Sequence, residues 1–231
     1  MKSTLYQITL LDLLWTMIPV GVMMFIYIRW TKDSMTLPYA LIRMLIQLIL
    51  IGYVLTYIFT SDSSLLIVLI LSVMLMAASI ISLRPIAKKS SSLYLKALLA
   101  IGTGGLFTLL TVVFGVLALS PWYNPRFIIP LAGMIFANAM NAVSIAAERL
   151  ESELSEKSYQ EARAVTYKAA LIPLVNSLFA VGLVSLPGMM TGQILSGVDL
   201  LIAVRYQMMV MLMILGSAGI SVAVYLRLNK K

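Results

Sequence analysis

Leu65-Leu-Ile-Val-Leu-Ile-Leu-Ser-Val-Met-Leu-Met-Ala-Ala-Ser-Ile-Ile-Ser-Leu83 carries no charge, and its only polar side chains are three serine hydroxyls. The run is apolar all round, so no polar face is left for water. Its 19 residues come close to the ~20 that a helix needs to cross a hydrocarbon core. A barrel strand would be about half that length and would alternate polar with apolar. In lipid the backbone must satisfy itself, which leaves a helix. Six further stretches read the same way: Thr9 to Ile28, Pro38 to Phe59, Leu93 to Leu119, Phe127 to Ala147, Ala169 to Leu186 and Leu201 to Leu226. Pro38 stands where a helix N-terminus loses nothing from a missing N–H. The first stretch is too long for a signal-peptide core and has no small-residue cleavage site after it, so it reads as a retained helix. The fold expected over 1–231 is therefore all-α: one polytopic transmembrane domain of about seven helices.

Composition agrees. Of 231 residues, 61% are hydrophobic and 11% charged, against about 45–50% and 25% in soluble domains. Mean hydropathy is +0.99. Cys and His are absent, which removes disulfides, Cys/His zinc sites and His general bases. No Ser/His/Asp set, Walker-type loop or H-E-x-x-H is present. Asp12, Asp33, Asp62 and Asp199 all fall near span ends, which disfavours a paired-Asp protease. Asp12 reads as an interface residue or as part of an outer vestibule. An enzyme is not expected.

The net charge of +8 needs no nucleic acid to explain it. With the N-terminus outside and the C-terminus inside, 14 of the 17 Lys and Arg residues fall in inner segments. Only Lys2, Arg126 and Arg205 fall outside, which is the distribution that sets orientation in membranes.

Glu148 to Lys168 is the one long polar segment, on the inner side between the fifth and sixth spans. It lacks Gly and Pro, is rich in helix formers and offers Glu153–Lys157 as an i,i+4 pair. It reads either as a solvated helical hairpin or as a docking element for a cytoplasmic partner. Leu154 and Tyr159 would be its apolar anchors, Glu161 and Arg163 would lie beside them, and Glu153 would be a rim charge. Inside the spans, Gln47 (with Arg43, which can snorkel), Asn138 with Asn141, Asn176 with Ser177, and Gln207 are polar at depth. Each serves either inter-helix hydrogen bonding or a substrate path. Gly102-Thr-Gly-Gly105 lies in an apolar helix and reads as a close-packing device, not a phosphate cradle. The 16 Met residues read as soft packing, or as a thioether path suited to Cu(I).

Gly182-Leu-Val-Ser-Leu-Pro-Gly-Met-Met-Thr-Gly-Gln-Ile-Leu-Ser-Gly-Val-Asp199 resembles the signature of the iron-export ABC transporter permease family (FetB-like), whose plant relatives are linked to aluminium tolerance. Ala169 to Pro173, Pro125 to Ile135 with Asn138 and Asn141, Arg43 to Gly52 with Gln47, and Ala203 to Gln207 resemble it too. The resemblance covers essentially the whole chain. In one place the chain departs from the family's pattern. Leu150 to Ala169 lacks the Gly- and Pro-bearing inner turn and is shorter by one to two helical turns or more.

The resemblance implies the membrane half of an ATP-driven exporter, in the bacterial plasma membrane. It implies a homodimer with a separate ATP-binding subunit, iron as cargo, and no cofactor on this chain, with ATP bound by the partner. The signature adds Met189, Met190, Thr191 and Gln193 to the substrate-path residues. No metal ligand set is assigned. Hard cations can pass along carboxylate, amide and carbonyl oxygens. Pro187-Gly188 is expected to end the sixth span, with Met189 to Gly197 as a short outer-side hairpin or half-helix at the dimer axis or the path's exit. Two rival readings stand: a non-transporting scaffold or sensor, motivated by the shortened inner segment, and a permease for a different small solute.

Overall fold

The computed structural model describes residues 9, 11–60, 63–86 and 89–230. Of the residues weighed above, Lys2, Asp62, Lys88 and Lys231 lie outside that set. The described chain is built from eight α-helices: α1 (Asp12–Thr31), α2 (Thr36–Ile58), α3 (Ser64–Ser82), α4 (Ser91–Leu110), α5 (Pro125–Glu153), α6 (Tyr159–Ala180), α7 (Gly188–Leu195) and α8 (Leu200–Leu228). A wider π-helical turn, Thr111–Val116, extends α4. The helix starts follow local chemistry. Ser90 accepts from the Leu93 amide, Asn124 precedes Pro125 in the first turn, and Asp199 accepts from the Leu201 and Ile202 amides. Each covers donors that the helix itself cannot use. Within the spans, hydroxyls bond back to their own helix. Ser72 donates to Val68, Ser79 to Leu75, Thr103 to Leu99 and Thr108 to Gly104.

The chain forms two compact units, Met1–Ser61 and Asp62–Lys231. In the first, α1 has no buried residue and α2 buries only Ile58. Apolar helices exposed on every face suit hydrocarbon and not water. Asp33 organises their connection: its carboxylate accepts from the Met35 and Thr36 amides and from the Tyr27 hydroxyl. The hydrogen bond to Thr36 leads in holding its pKa down, to about 2. Because this pKa is depressed on folding, the stabilisation is complete above the ordinary carboxylate range and is lost as pH falls through about 2. A carboxylate NMR titration is expected to show Asp33 still ionised at pH 3. A midpoint near 4 would refute the cap.

In the second unit α4, α5 and α8 pack centrally, with α3 and α6 against them. The packing faces are made of small residues. Ala100, Gly104 and Gly105 of α4, Ala139 and Ala146 of α5, and Ser217, Ala218 and Ser221 of α8 are all buried. Without a hydrophobic force between helices in lipid, close backbone approach supplies the attraction. Gly102-Thr-Gly-Gly105 thus serves packing, as expected.

Among the described residues six helices are long and apolar enough to cross a membrane: α1, α2, α3, α4 with its π turn, α5 and α8. The sixth expected span differs. It ends at Ala180, not Leu186. Gly182, at φ +81°, takes the left-handed turn there, and the Leu183, Val184 and Ser185 amides all fold back onto the Ala180 carbonyl. The apolar half of α6, from Ala169 to Ala180, is 12 residues, about 18 Å at 1.5 Å per residue. Pro187 instead precedes the first residue of α7. The half-helix expected over Met189 to Gly197 is present as α7.

Candidate functional site

At one end of the second unit α5 continues as far as Glu153, and a short turn leads into α6. Glu153 is only 7% exposed. Its carboxylate is gripped by Arg149 Nη2 at 2.6 Å and Lys157 Nζ at 2.5 Å. The expectation of a rim charge is therefore corrected: Glu153 is an internal tie that closes the turn. Ser158 and Glu161 form a reciprocal cap. The Ser158 hydroxyl and amide donate to the Glu161 carboxylate at 2.7 and 3.2 Å, and that hydroxyl accepts from the Glu161 amide. The Ser158 hydrogen bonds hold the Glu161 carboxyl below the usual range. Glu161 is thus committed to the cap, while Arg163 is exposed. The S-x-x-E spacing of 158–161 is the sequence signal for this start.

Leu154 is 43% exposed. Tyr159 is half-buried, its hydroxyl donates to the Leu226 carbonyl near the end of α8, and burial pushes its phenol pKa up. Both line one pocket of about 440 Å³, with Ile86, Leu93, Leu150, Glu151, Tyr225 and Asn229 also on its wall. Asn229 accepts from Lys96 Nζ at 3.2 Å. Two of the four expected docking residues therefore share one pocket, the third caps the helix beside it, and the fourth is exposed.

At the other end α7 separates two pockets. Met189 and Gln193, one turn apart, line one of about 620 Å³ with Met134, Met209, Tyr206 and Arg126. The Gln193 Oε1 is buried with no hydrogen-bond partner among the described residues. Met190 lines the second pocket, with Gln207 of α8. The Thr191 hydroxyl donates to the Pro187 carbonyl at 3.1 Å and so serves its own helix.

The remaining polar residues are dispersed. Asn138 donates to the Met134 carbonyl one turn back, at 2.8 Å. Asn141 is exposed on the same side of α5. Asn176 and Ser177 are exposed on α6, and the Ser177 hydroxyl donates to the Pro173 carbonyl. Gln47 is exposed on α2, in the other unit. Among the described residues no group of three or more His, Cys, Asp or Glu stands close enough to hold a metal ion. The oxygens on offer are amides and hydroxyls.

Spanning helices, small-residue packing and polar helix caps define a polytopic, all-helical integral membrane protein. The chain belongs to the family described as "Uncharacterised protein family (UPF0014)", which matches residues 9–164 and 155–231. The two matched stretches overlap at the turn between α5 and α6 and the first part of α6, within the shortened segment from Leu150 to Ala169. The chain is 33% identical over 233 residues to the UPF0014 membrane protein slr1647 of Synechocystis sp., covering 93% of this chain and 90% of that one. It is 38% identical over 207 residues to the probable iron export permease protein FetB of Escherichia coli, covering 81% and 78%. It is 29% identical over 199 residues to the protein ALUMINUM SENSITIVE 3 of Arabidopsis thaliana, covering 79% and 71%. No solved structure matches it.

Proposed function

We propose that the chain is the membrane-spanning permease subunit of an ABC-type exporter of a metal ion, iron, acting as a homodimer with a separate ATPase subunit that binds and hydrolyses ATP. The observation that carries this is the 38% identity over 207 residues to a protein named as a probable iron export permease. The inner pocket around Leu154 and Tyr159 supports the ATPase half of the reading, because buried apolar anchors dominate most interfaces. The exposed Asn141 and Asn176 support the homodimer. A polar side chain facing lipid is costly, and a second copy or a water-filled path relieves the cost.

The test is co-expression with the candidate ATPase and reconstitution into vesicles. Expected are co-purification and ATP hydrolysis stimulated by iron. Co-purification without any stimulation by iron overturns the cargo. Failure to co-purify overturns the ABC assignment and favours the scaffold.

The orientation belongs to the same reading: N-terminus outside, C-terminus inside, with α6 and α7 together supplying the seventh crossing. Because the chain has no Cys, single-cysteine labelling reads this directly. Ser63→Cys is expected to react with an impermeant maleimide from outside, and Ser91→Cys and Lys230→Cys only from inside. The reverse pattern at Ser63 and Ser91 overturns the orientation. An outside Lys230→Cys removes the seventh crossing.

A further inference from the structure

Gln207 is 7% exposed, and its Oε1 is enclosed without a hydrogen-bond partner among the described residues. It lines a cavity of about 430 Å³ between the end of α6, the 181–187 connection, α7 and α8. No charged side chain lines that cavity, and the thioethers of Met190, Met208 and Met211 make part of its wall. Leu186, Met208 and Leu212, also on the wall, are 61, 59 and 67% exposed. The mouth is therefore apolar and is uncovered in the single chain.

A bare ion entering here would lose its hydration and meet no opposite charge. The volume is that of a site for an organic molecule, since such pockets run from about 300 to 1,000 Å³ with few polar groups. Thioethers are soft and adapt to an irregular apolar shape. The one unmet requirement inside the cavity is a hydrogen-bond donor for Gln207. We propose that this cavity binds an uncharged, largely apolar molecule that enters from the bilayer and presents one hydroxyl or N–H to the Gln207 carbonyl oxygen. The site goes beyond the exporter reading and does not depend on it.

The test uses the full chain in phosphatidylcholine vesicles and two diazirine photolabels. One is a trifluoromethyl-diazirinyl benzyl alcohol, and the other is its methyl analogue without the hydroxyl. Adducts are mapped by mass spectrometry over residues 178–190 and 204–212. Labelling by the alcohol is expected to saturate there and to fall roughly three- to tenfold in Gln207→Leu, the range that one neutral hydrogen bond gives. Labelling by the methyl analogue is expected to be unchanged. Met190→Trp, which fills the cavity, is expected to remove both labels there and leave the exposed faces of α2 labelled as before. On the unaltered chain, 1-naphthalenemethanol is expected to protect these peptides at three- to tenfold lower membrane concentration than 1-methylnaphthalene. Equal protection by the two competitors overturns the proposal, as does alcohol labelling that is non-saturable or indifferent to Gln207→Leu.

Discussion

Gly104→Ala is expected to lower the melting temperature of the detergent-solubilised protein by ~4–8 °C, and Gly104→Val to prevent folding. A Cβ at Gly104 would lie 2.6 Å from the Ser217 carbonyl oxygen and 2.7 Å from the Ser221 amide nitrogen, with the Ser221 hydroxyl closer still. Two of these three atoms are backbone, so a change of rotamer cannot relieve the clash. Overpacking at such sites costs typically about 1–3 kcal/mol. The gain in helix propensity from Gly to Ala, about 1 kcal/mol, offsets part of it. At about 2–4 °C per kcal/mol for chains of this size, the upper part of the range gives the stated shift. Ser221→Gly is expected not to rescue Gly104→Ala, because the carbonyl and amide contacts remain.

The neighbouring glycines supply the internal control. At Gly102 a Cβ meets only the end of Leu75, at 3.4 Å, and at Gly115 nothing lies within 4 Å. Alanine at either position is expected to leave the melting temperature unchanged or raise it by up to ~4 °C, because little opposes the gain in helix propensity. Gly105 is intermediate in kind. Its Cβ would meet the buried ring of Phe136 at 2.7 Å, and a ring can give way only where its own neighbours allow it. A Gly104→Ala protein that melts with the parent would mean that α4 and α8 do not meet in this register.

Much of this was legible before any coordinates. Long apolar runs in lipid admit only helices, so α1 to α4 and α8 fall within about three residues of where the sequence puts them, while α5 runs on past Ala147 to Glu153. The run Gly102-Thr-Gly-Gly105 announces close packing but cannot name its partners, because the pairing of α4 with α8 joins positions more than a hundred residues apart. The sixth span ends at Ala180, six residues before the Leu186 that the sequence suggests. Pro187 is the conspicuous helix breaker, but Gly182 can take a positive φ and turns the chain first. Glu153 shows the same limit on a smaller scale. Its i,i+4 relation to Lys157 is visible in the sequence, as is the second one, to Arg149. That both engage it, and that the carboxylate is buried, depends on how tightly the turn closes. Gln207 is recognisably polar at depth, whereas its enclosure beside a cavity depends on the path of 181–187.

Leu154→Ala with Tyr159→Ala is expected to abolish stoichiometric co-purification with the ATPase proposed above and to leave the spans folded. Leu154 is 43% exposed at the inner turn, and Tyr159 presents part of its ring to the same pocket. A well-seated anchor of this kind is worth about 2 kcal/mol or more, roughly thirtyfold in affinity, so losing two separates the subunits at ordinary concentrations. Tyr159 has a second connection, through its hydroxyl to the Leu226 carbonyl, and Tyr159→Phe isolates it. If the ring alone is the anchor, Tyr159→Phe co-purifies and hydrolyses ATP like the parent, apart from the loss of about 1 kcal/mol of stability that one neutral hydrogen bond contributes. If the bond to α8 also carries motion from the docking turn into the membrane, Tyr159→Phe binds normally but loses stimulation by iron. Arg163, exposed at the rim, should behave differently from both. Arg163→Glu is expected to change the association rate and its salt dependence with little effect on dissociation. Full stoichiometry and iron-stimulated hydrolysis in the double alanine variant would show the turn to be a passive hairpin, and the coupling surface would then have to lie on another inner segment.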